Sequence, residues 1–228
     1  MVMKSIKYLL FLTTLSLHLI SCDQSSGDAN KAIDNSLSQN DNGDNRLQDK
    51  TVKFLWRDQF VSASNDTFSS IYIDEEYCKK ITNLEKAALG YVATFIGNEC
   101  DWDGGYTEDL SNLKCKILTA LNLGYQCSEK HLGFLRNMFK NDSKVLEELK
   151  SESCPKTPET STDQDTFDLI TLTVKGNQII VYFEATGYFM RDGMVLSWNE
   201  THHFLVENNH ISLTKKEKSE VKQESMYE

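Results

Sequence analysis

The sequence predicts an α+β fold in which an N-terminal helical layer packs on one face of a C-terminal antiparallel β-meander. Three observations carry that prediction. Between positions 83 and 149 apolar residues recur at three- and four-residue intervals, the period of helices. From Phe167 to Leu213 the pattern changes to period two. Gly176-Asn177, Asp192-Gly193 and Asn208-Asn209 then cut this second stretch into hairpins. Helices segregated from a run of antiparallel strands is the α+β arrangement.

Taken in order, Val52, Phe54 and Trp56 alternate with polar residues and read as a first strand, and Phe68, Ile71 and Ile73 as a second short one. Asn83 is the expected cap of a helix through Leu84, Ala88, Leu89, Tyr91, Val92, Phe95 and Ile96, closed by Gly97. Its apolar residues cover more than one face, which marks it as the buried central helix. Thr107 opens a second helix with Leu110, Leu113, Ile117, Leu118 and Leu121 inward, and Gly124 is expected at its C′ position. Ser128 caps a third carrying Leu132, Leu135, Met138 and Phe139, and Asp142 a short fourth carrying Val145, Leu146 and Leu149. After a polar linker beginning at Cys154-Pro155 come strands over Phe167–Val174, Ile179–Met190, Val195–Val206 and Ile211–Leu213, with Gly187 expected to mark a bulge.

The flanks have a different character. In the 228-residue chain, the first twenty-one positions hold Lys4 and Lys7, no acid, and an apolar run from Tyr8 to Ile20. That run is about thirteen residues, short of the roughly twenty that span a bilayer, so it reads as a secretory leader. Removing its two lysines leaves 22 of the 24 basic side chains against 34 acidic ones, taking the formal charge from −10 to −12. So acidic a chain with no basic run cannot neutralise a row of phosphates, which excludes nucleic acid from the expected partners. Residues 22–50 are rich in Asn, Asp, Ser and Gln and read as a disordered tether of about 30 Å r.m.s. span. Residues 51–214 form the single globular domain, and 215–228 alternate charge without an apolar face and read as a fraying tail. A body of about 165 residues buries close to 70% of its unfolded surface and needs no metal to fold.

Leu19-Ile20-Ser21-Cys22 resembles the lipobox of bacterial lipoprotein signal peptides. The resemblance covers only the targeting segment, and it implies cleavage after Ser21, a diacylglycerol thioether on Cys22 and acylation of the new amino group. At about 0.8 kcal/mol per buried CH₂, several chains on one residue hold a protein stably to a membrane. Asp23 resembles the inner-membrane retention signal of enteric bacteria. Envelopes that do not read that residue carry such proteins onward, and the outer membrane is the placement expected.

The body holds Cys78, Cys100, Cys115, Cys127 and Cys154. Export to an oxidising compartment makes disulfides the default, and five thiols allow two bridges in fifteen arrangements. Cys100 and Cys127 lie just outside helix ends and Cys78 and Cys154 flank the whole helical region, so Cys78–Cys154 and Cys100–Cys127 are the expected pairs. A zinc site from Cys100, Cys115, Cys127 and His131 has only one short ligand spacing where structural zinc uses two, so no metal or other cofactor is expected. The segment Asp101-Trp102-Asp103-Gly104-Gly105 is calcium-like in composition. In an EF-hand register, however, Tyr106 stands where glycine is required and Asn112 where a bidentate glutamate is required. It reads as a turn, with Trp102, Tyr106 and Tyr125 forming an aromatic surface nearby.

The most suggestive polar cluster is in the strand after Asp192-Gly193. Leu196, Trp198, Glu200, His202, Phe204 and Val206 share one face, so Glu200 and His202 interrupt an apolar surface. Glu184 on the preceding strand is expected to approach them. A carboxylate beside an imidazole in an apolar cleft supports acid–base chemistry, and the same arrangement serves as a satisfied structural pair. Trp198, Glu200, His202 and Phe204 are thus the candidate pocket, and Glu184, Glu200 and His202 the candidate catalytic set. Helices before a curved meander are similar in element order to the cone-shaped folds of the nuclear-transport-factor-2-like (NTF2-like) and cystatin-like groups, which host enzymes and binding modules alike. No Gly-Xaa-Ser-Xaa-Gly elbow, His-Glu-Xaa-Xaa-His helix or phosphate loop occurs. The expected function is a lipid-anchored envelope protein that binds another envelope protein or a small ligand without catalysis. The alternative is a small envelope enzyme built on the Glu/His pair.

Overall fold

The computed structural model describes residues 47–65, 67–95, 113–124, 126–150 and 163–227. The leader, Cys22, most of the tether, the 96–112 segment, Tyr125 and the linker after position 150 lie outside the described residues. Two strands, β1 (Lys50–Val61) and β2 (Thr67–Ile73), come first. Helices α1 (Glu75–Cys78), α2 (Asn83–Phe95), α3 (Leu113–Ala120), α4 (Glu129–Met138) and α5 (Ser143–Glu148) follow. The chain then returns as β3 (Asp163–Lys175), β4 (Gln178–Phe189), β5 (Met194–Glu207), β6 (His210–Lys218) and β7 (Lys222–Ser225). The architecture is α+β, with the helices falling between the second and third strands. All seven strands join one antiparallel sheet in the order β2-β1-β3-β4-β5-β6, with β7 also on β5.

Local chemistry sets the helix ends. The cap of α2 is Thr82 and not Asn83. Its hydroxyl accepts from the Glu85 N–H at 3.3 Å, while the Glu85 carboxylate accepts from the Thr82 N–H at 3.0 Å. This reciprocal pair is a capping box. Glu85 is fully buried and its charge is met by Lys50 at 2.7 Å, which ties α2 to β1. At the end of α3 the left-handed residue is Asn122 (φ 54°), with N–H bonds from Asn122 to Thr119 and from Leu123 to Leu118. That is a Schellman motif with Asn122 at C′, two residues before the expected Gly124. Ser128 and Asp142 cap α4 and α5 as the sequence predicts.

Helix α2 is the central one. Leu84, Ala87, Ala88, Leu89, Tyr91, Val92 and Ala93 are buried, and the helix packs against β4, β5 and β6 as well as α3 and α4. Gly90 lets the neighbouring chain approach closely, since a Cβ there would sit 2.6 Å from Leu123 Cδ1. From the sheet, Phe54, Leu55, Phe167, Ile170, Leu172, Ile179, Val181, Phe183 and Phe204 complete the core.

Register shifts at three points shape the sheet, one of them leaving Thr214 extra on β6 against β5. Phe54 is an extra residue on β1 against β3, and Asp168 an extra residue on β3 against β4. The first lets Phe54 and Leu55 both face the core and sends Trp56 to the opposite side, where the alternation of Val52, Phe54 and Trp56 had placed it inward. Gly187 is paired in register with Asp165 and Leu196, so no bulge lies there. Its lack of a side chain answers crowding, because a Cβ would meet Asp165 Oδ1 at 2.7 Å and Phe189 Cε2 at 3.2 Å.

The ends of the body also differ from expectation. Leu47 packs on the core, Asp49 accepts from the Gly176 N–H at 2.7 Å and Lys50 begins β1, so the folded part starts before position 51. The described part of the expected tail, residues 215–227, pairs along the sheet instead of fraying. Strand β6 runs to Lys218 along Glu200–Glu207, and β7 continues antiparallel along Met194–Ser197. The charges that disguise this stretch are those of a solvated sheet edge, where lysines discourage pairing with another chain.

Candidate functional site

On the helix side of β5, alternation presents Trp198, Glu200, His202 and Phe204 on one face, as the sequence predicts. Glu200 is the hub. One oxygen accepts from His202 Nε2 at 3.0 Å, and the other from Trp198 Nε1 at 3.0 Å and Lys218 Nζ at 3.1 Å. Burial pushes the Glu200 pKa up, but hydrogen bonds and charge from His202 and Lys218 outweigh it and hold the carboxyl below its ordinary value. His202 is buried among rings, with Phe183 at 5.4 Å, Tyr91 at 6.1 Å and Phe204 at 6.4 Å between centroids. Its Nδ1 has no hydrogen-bond partner among the described residues. Above it, Lys216 reaches Glu148 at 3.4 Å and lies over the Tyr91 ring, whose hydroxyl donates to Glu148.

Glu184 does not join this cluster. It is paired with Asn199, whereas Glu200 is opposite Phe183, so Glu184 projects from the other side of the sheet. There it is exposed and accepts from the Tyr182 hydroxyl at 2.9 Å. The catalytic set of Glu184, Glu200 and His202 is therefore not assembled.

That opposite side holds a groove of about 580 Å³ lined by residues of β1, β2, β3, β4, β5 and β7. It includes Trp56, Arg57, Asp168, Glu184, Tyr188 and Ser197, and none of Trp198, Glu200, His202 or Phe204. Along β4 the groove residues Glu184, Thr186 and Tyr188 alternate with the core positions Phe183, Ala185 and Gly187. At its centre Arg57 donates from Nε to Asp168 Oδ1 at 2.6 Å, from Nη1 to Ser69 Oγ at 2.8 Å and from Nη2 to Thr166 Oγ1 at 3.4 Å. Thr186 Oγ1 donates to Asp168 Oδ2 at 2.5 Å. A bulge re-aims the extra side chain of a strand, and here it delivers Asp168 to Arg57. Trp56 stacks on Tyr72 at 5.7 Å with 19° between planes, its N–H donates to Asp58, and the Lys53 ammonium lies over its ring at 5.3 Å. Gln59, Tyr188, Ser197 and Glu224 also line the groove, and their side chains hold no hydrogen bond or ion pair among the described residues.

Along β4 and β5 the groove positions are the ones that alternate with the core, and polar residues are ordinary there. Arg57 and Asp168 are 111 positions apart and carry no motif. The only legible trace was polar and aromatic residues sharing the outward positions of β4.

The cysteines correct one expected pair. Cys78 is a free thiol, so a Cys78–Cys154 bridge is not formed. Burial, with Asp74 and Glu75 nearby, pushes its pKa up to about 11. Cys127 is disulfide-bonded, and the expected Cys100–Cys127 pairing rests on Cys100, which lies outside the described residues. A sulfur in a disulfide is no thiolate ligand, which removes Cys127 from the zinc set. His131 accepts from the Cys127 N–H on Nδ1 at 3.1 Å and meets Thr94 Oγ1 through Nε2 at 3.1 Å, holding the loop to α2.

No family model, curated protein or solved structure matches the chain.

Proposed function

We propose that this is a lipid-anchored bacterial envelope protein whose globular body holds a protein or small-molecule partner in the groove on the outer face of its sheet. The lipobox-like Leu19-Ile20-Ser21-Cys22 supports the anchor and, with it, placement in the cell envelope on the outer membrane. A helical layer on one face of a meander, in the manner of the NTF2-like and cystatin-like cones, leaves the other face of the sheet free to meet a partner. The observation that carries the binding reading is the groove itself. A locked Arg57–Asp168–Thr186 centre is ringed by side chains with uncommitted hydrogen-bonding capacity, which is how recognition sites are built. Glu200, whose two oxygens are both engaged, and His202, packed among rings, serve on this account to fasten the edge of the sheet to its core.

The test is site-specific photocrosslinking of the full lipidated chain in native envelopes. A photoreactive residue at Ser197, inside the groove, is expected to give a discrete adduct. The same residue at Thr173, on the same face of β3 but outside the groove, is expected to give none. Equal labelling at both positions would refute a binding groove. Mass spectrometry of the mature N-terminus tests the anchor separately, and an unmodified Cys22 removes it.

A further inference from the structure

Resting on that reading of the groove as a binding site, we infer that its ligand is a neutral oligosaccharide. The charges at the centre satisfy one another. Three Arg57 nitrogens and both Asp168 oxygens are taken up by protein partners, so the strongest ion pair in the groove does not ask for a charged ligand. What remains open is amphiprotic: the Gln59 amide, the Tyr188 and Ser197 hydroxyls, the Glu224 carboxylate and the Glu184 oxygen that Tyr182 leaves free, with Lys53 among them. A sugar hydroxyl is donor and acceptor at once, and such a mixture matches it group for group.

An anion is disfavoured, because Glu184 and Glu224 face it and Arg57 is already committed. A cation has only exposed carboxylates to meet, with the Lys53 ammonium standing among them. Aromatic rings complete the match. Trp56, braced by Tyr72, and Tyr188 offer flat apolar surfaces to the C–H faces of a pyranose. The Lys53 ammonium over Trp56 is carried on a flexible four-carbon stem that can swing aside and donate to a hydroxyl. The groove is open along the sheet and has room for more than one ring.

The experiment probes the full-length protein, in detergent micelles, on an array of neutral, sialylated and sulfated oligosaccharides. Binding confined to neutral glycans is expected. Trp56→Ala and Gln59→Ala should each weaken it at least tenfold, and Trp198→Phe should leave it unchanged. Gln59 is exposed, so its variant keeps the fold even if Trp56→Ala does not; far-UV circular dichroism checks both. No binding to neutral glycans, a preference for sulfated ones, or full binding by Gln59→Ala together with a folded Trp56→Ala would overturn the inference. If the array is silent while Ser197 still crosslinks to a protein in native envelopes, the saccharide class is wrong and the groove reading stands. Failure of both removes the groove as well.

Discussion

Arg57 on β1 and Asp168 on β3 meet at 2.6 Å because each strand carries one extra residue close to that point. The Phe54 bulge lets two consecutive side chains enter the core, and the Asp168 bulge frees a carboxylate from the ladder. Arg57 and Asp168 are each about one-quarter exposed and are held by Ser69, Thr166 and Thr186 as well as by each other. The groove therefore has a rigid centre and an adaptable rim.

Removing the carboxylate should be felt as lost stability. Asp168→Ala leaves the Arg57 Nε and Thr186 hydroxyl without acceptors, and the expected cost is about 1–3 kcal/mol. Asp168→Asn keeps an acceptor and should cost less. Urea denaturation of the two variants checks the order; equal midpoints would mean the pair is not structural.

The C-terminal strand depends on a close contact. Gly193 has φ 62°, and a Cβ there would lie 2.4 Å from the Tyr227 ring. Gly193→Ala should destabilise by about 1–2 kcal/mol through strain at that φ and overpacking, and should loosen β7. Faster hydrogen exchange at Val195 and Ser197 is the expected sign. Unchanged protection would contradict the pairing of β7 with β5.

Glu200 makes stability depend on acid. Its folded pKa is depressed, so the ionised form adds stability that is fully present above the unfolded value of about 4.3 and is lost as pH falls through the folded value. Glu200→Gln should lower stability at pH 7 by about 1–3 kcal/mol and flatten the decline below pH 4. Unfolding midpoints measured from pH 2.5 to 7 give the comparison, and parallel curves for the two proteins would rule the contribution out.

Cys78 offers a check on the disulfides. Free, half-buried and with its pKa near 11, it should react slowly with iodoacetamide at pH 8 and faster as the solution is made more alkaline. Peptide mapping without reductant should find it alkylated. Recovery of Cys78 linked to Cys154 would restore the pairing expected from the sequence.

Strands, turns and two of the helix caps were legible because each has a local cause. Ser128 and Asp142 cap as hydrogen-bonding side chains do, and Asn208-Asn209 turns with both residues left-handed. Cap placement failed where two local solutions competed: Thr82 with Glu85 outdid Asn83, and Asn122 outdid Gly124. β7 was missed because nothing apolar marks a strand that pairs along a solvated edge. The site was missed for a related reason. Periodicity tells inside from outside, and the Phe54 bulge reverses that count for Trp56. The Glu200–His202 cluster was visible because it sits on the apolar side, where polar residues stand out, while the groove lies on the side where polar residues are ordinary.

Which face of the sheet receives the ligand can be read from its tryptophans, since Trp56 lies in the groove and Trp198 beside Glu200. Full-length protein labelled with 5-fluorotryptophan, with resonances assigned from Trp56→Phe and Trp198→Phe, is titrated with the neutral oligosaccharide that binds best or, failing one, with solubilised native envelope. The account predicts that the Trp56 resonance shifts or broadens while that of Trp198 stays in place. A shift of Trp198 with Trp56 unmoved would contradict it and return the site to the Glu200–His202 face.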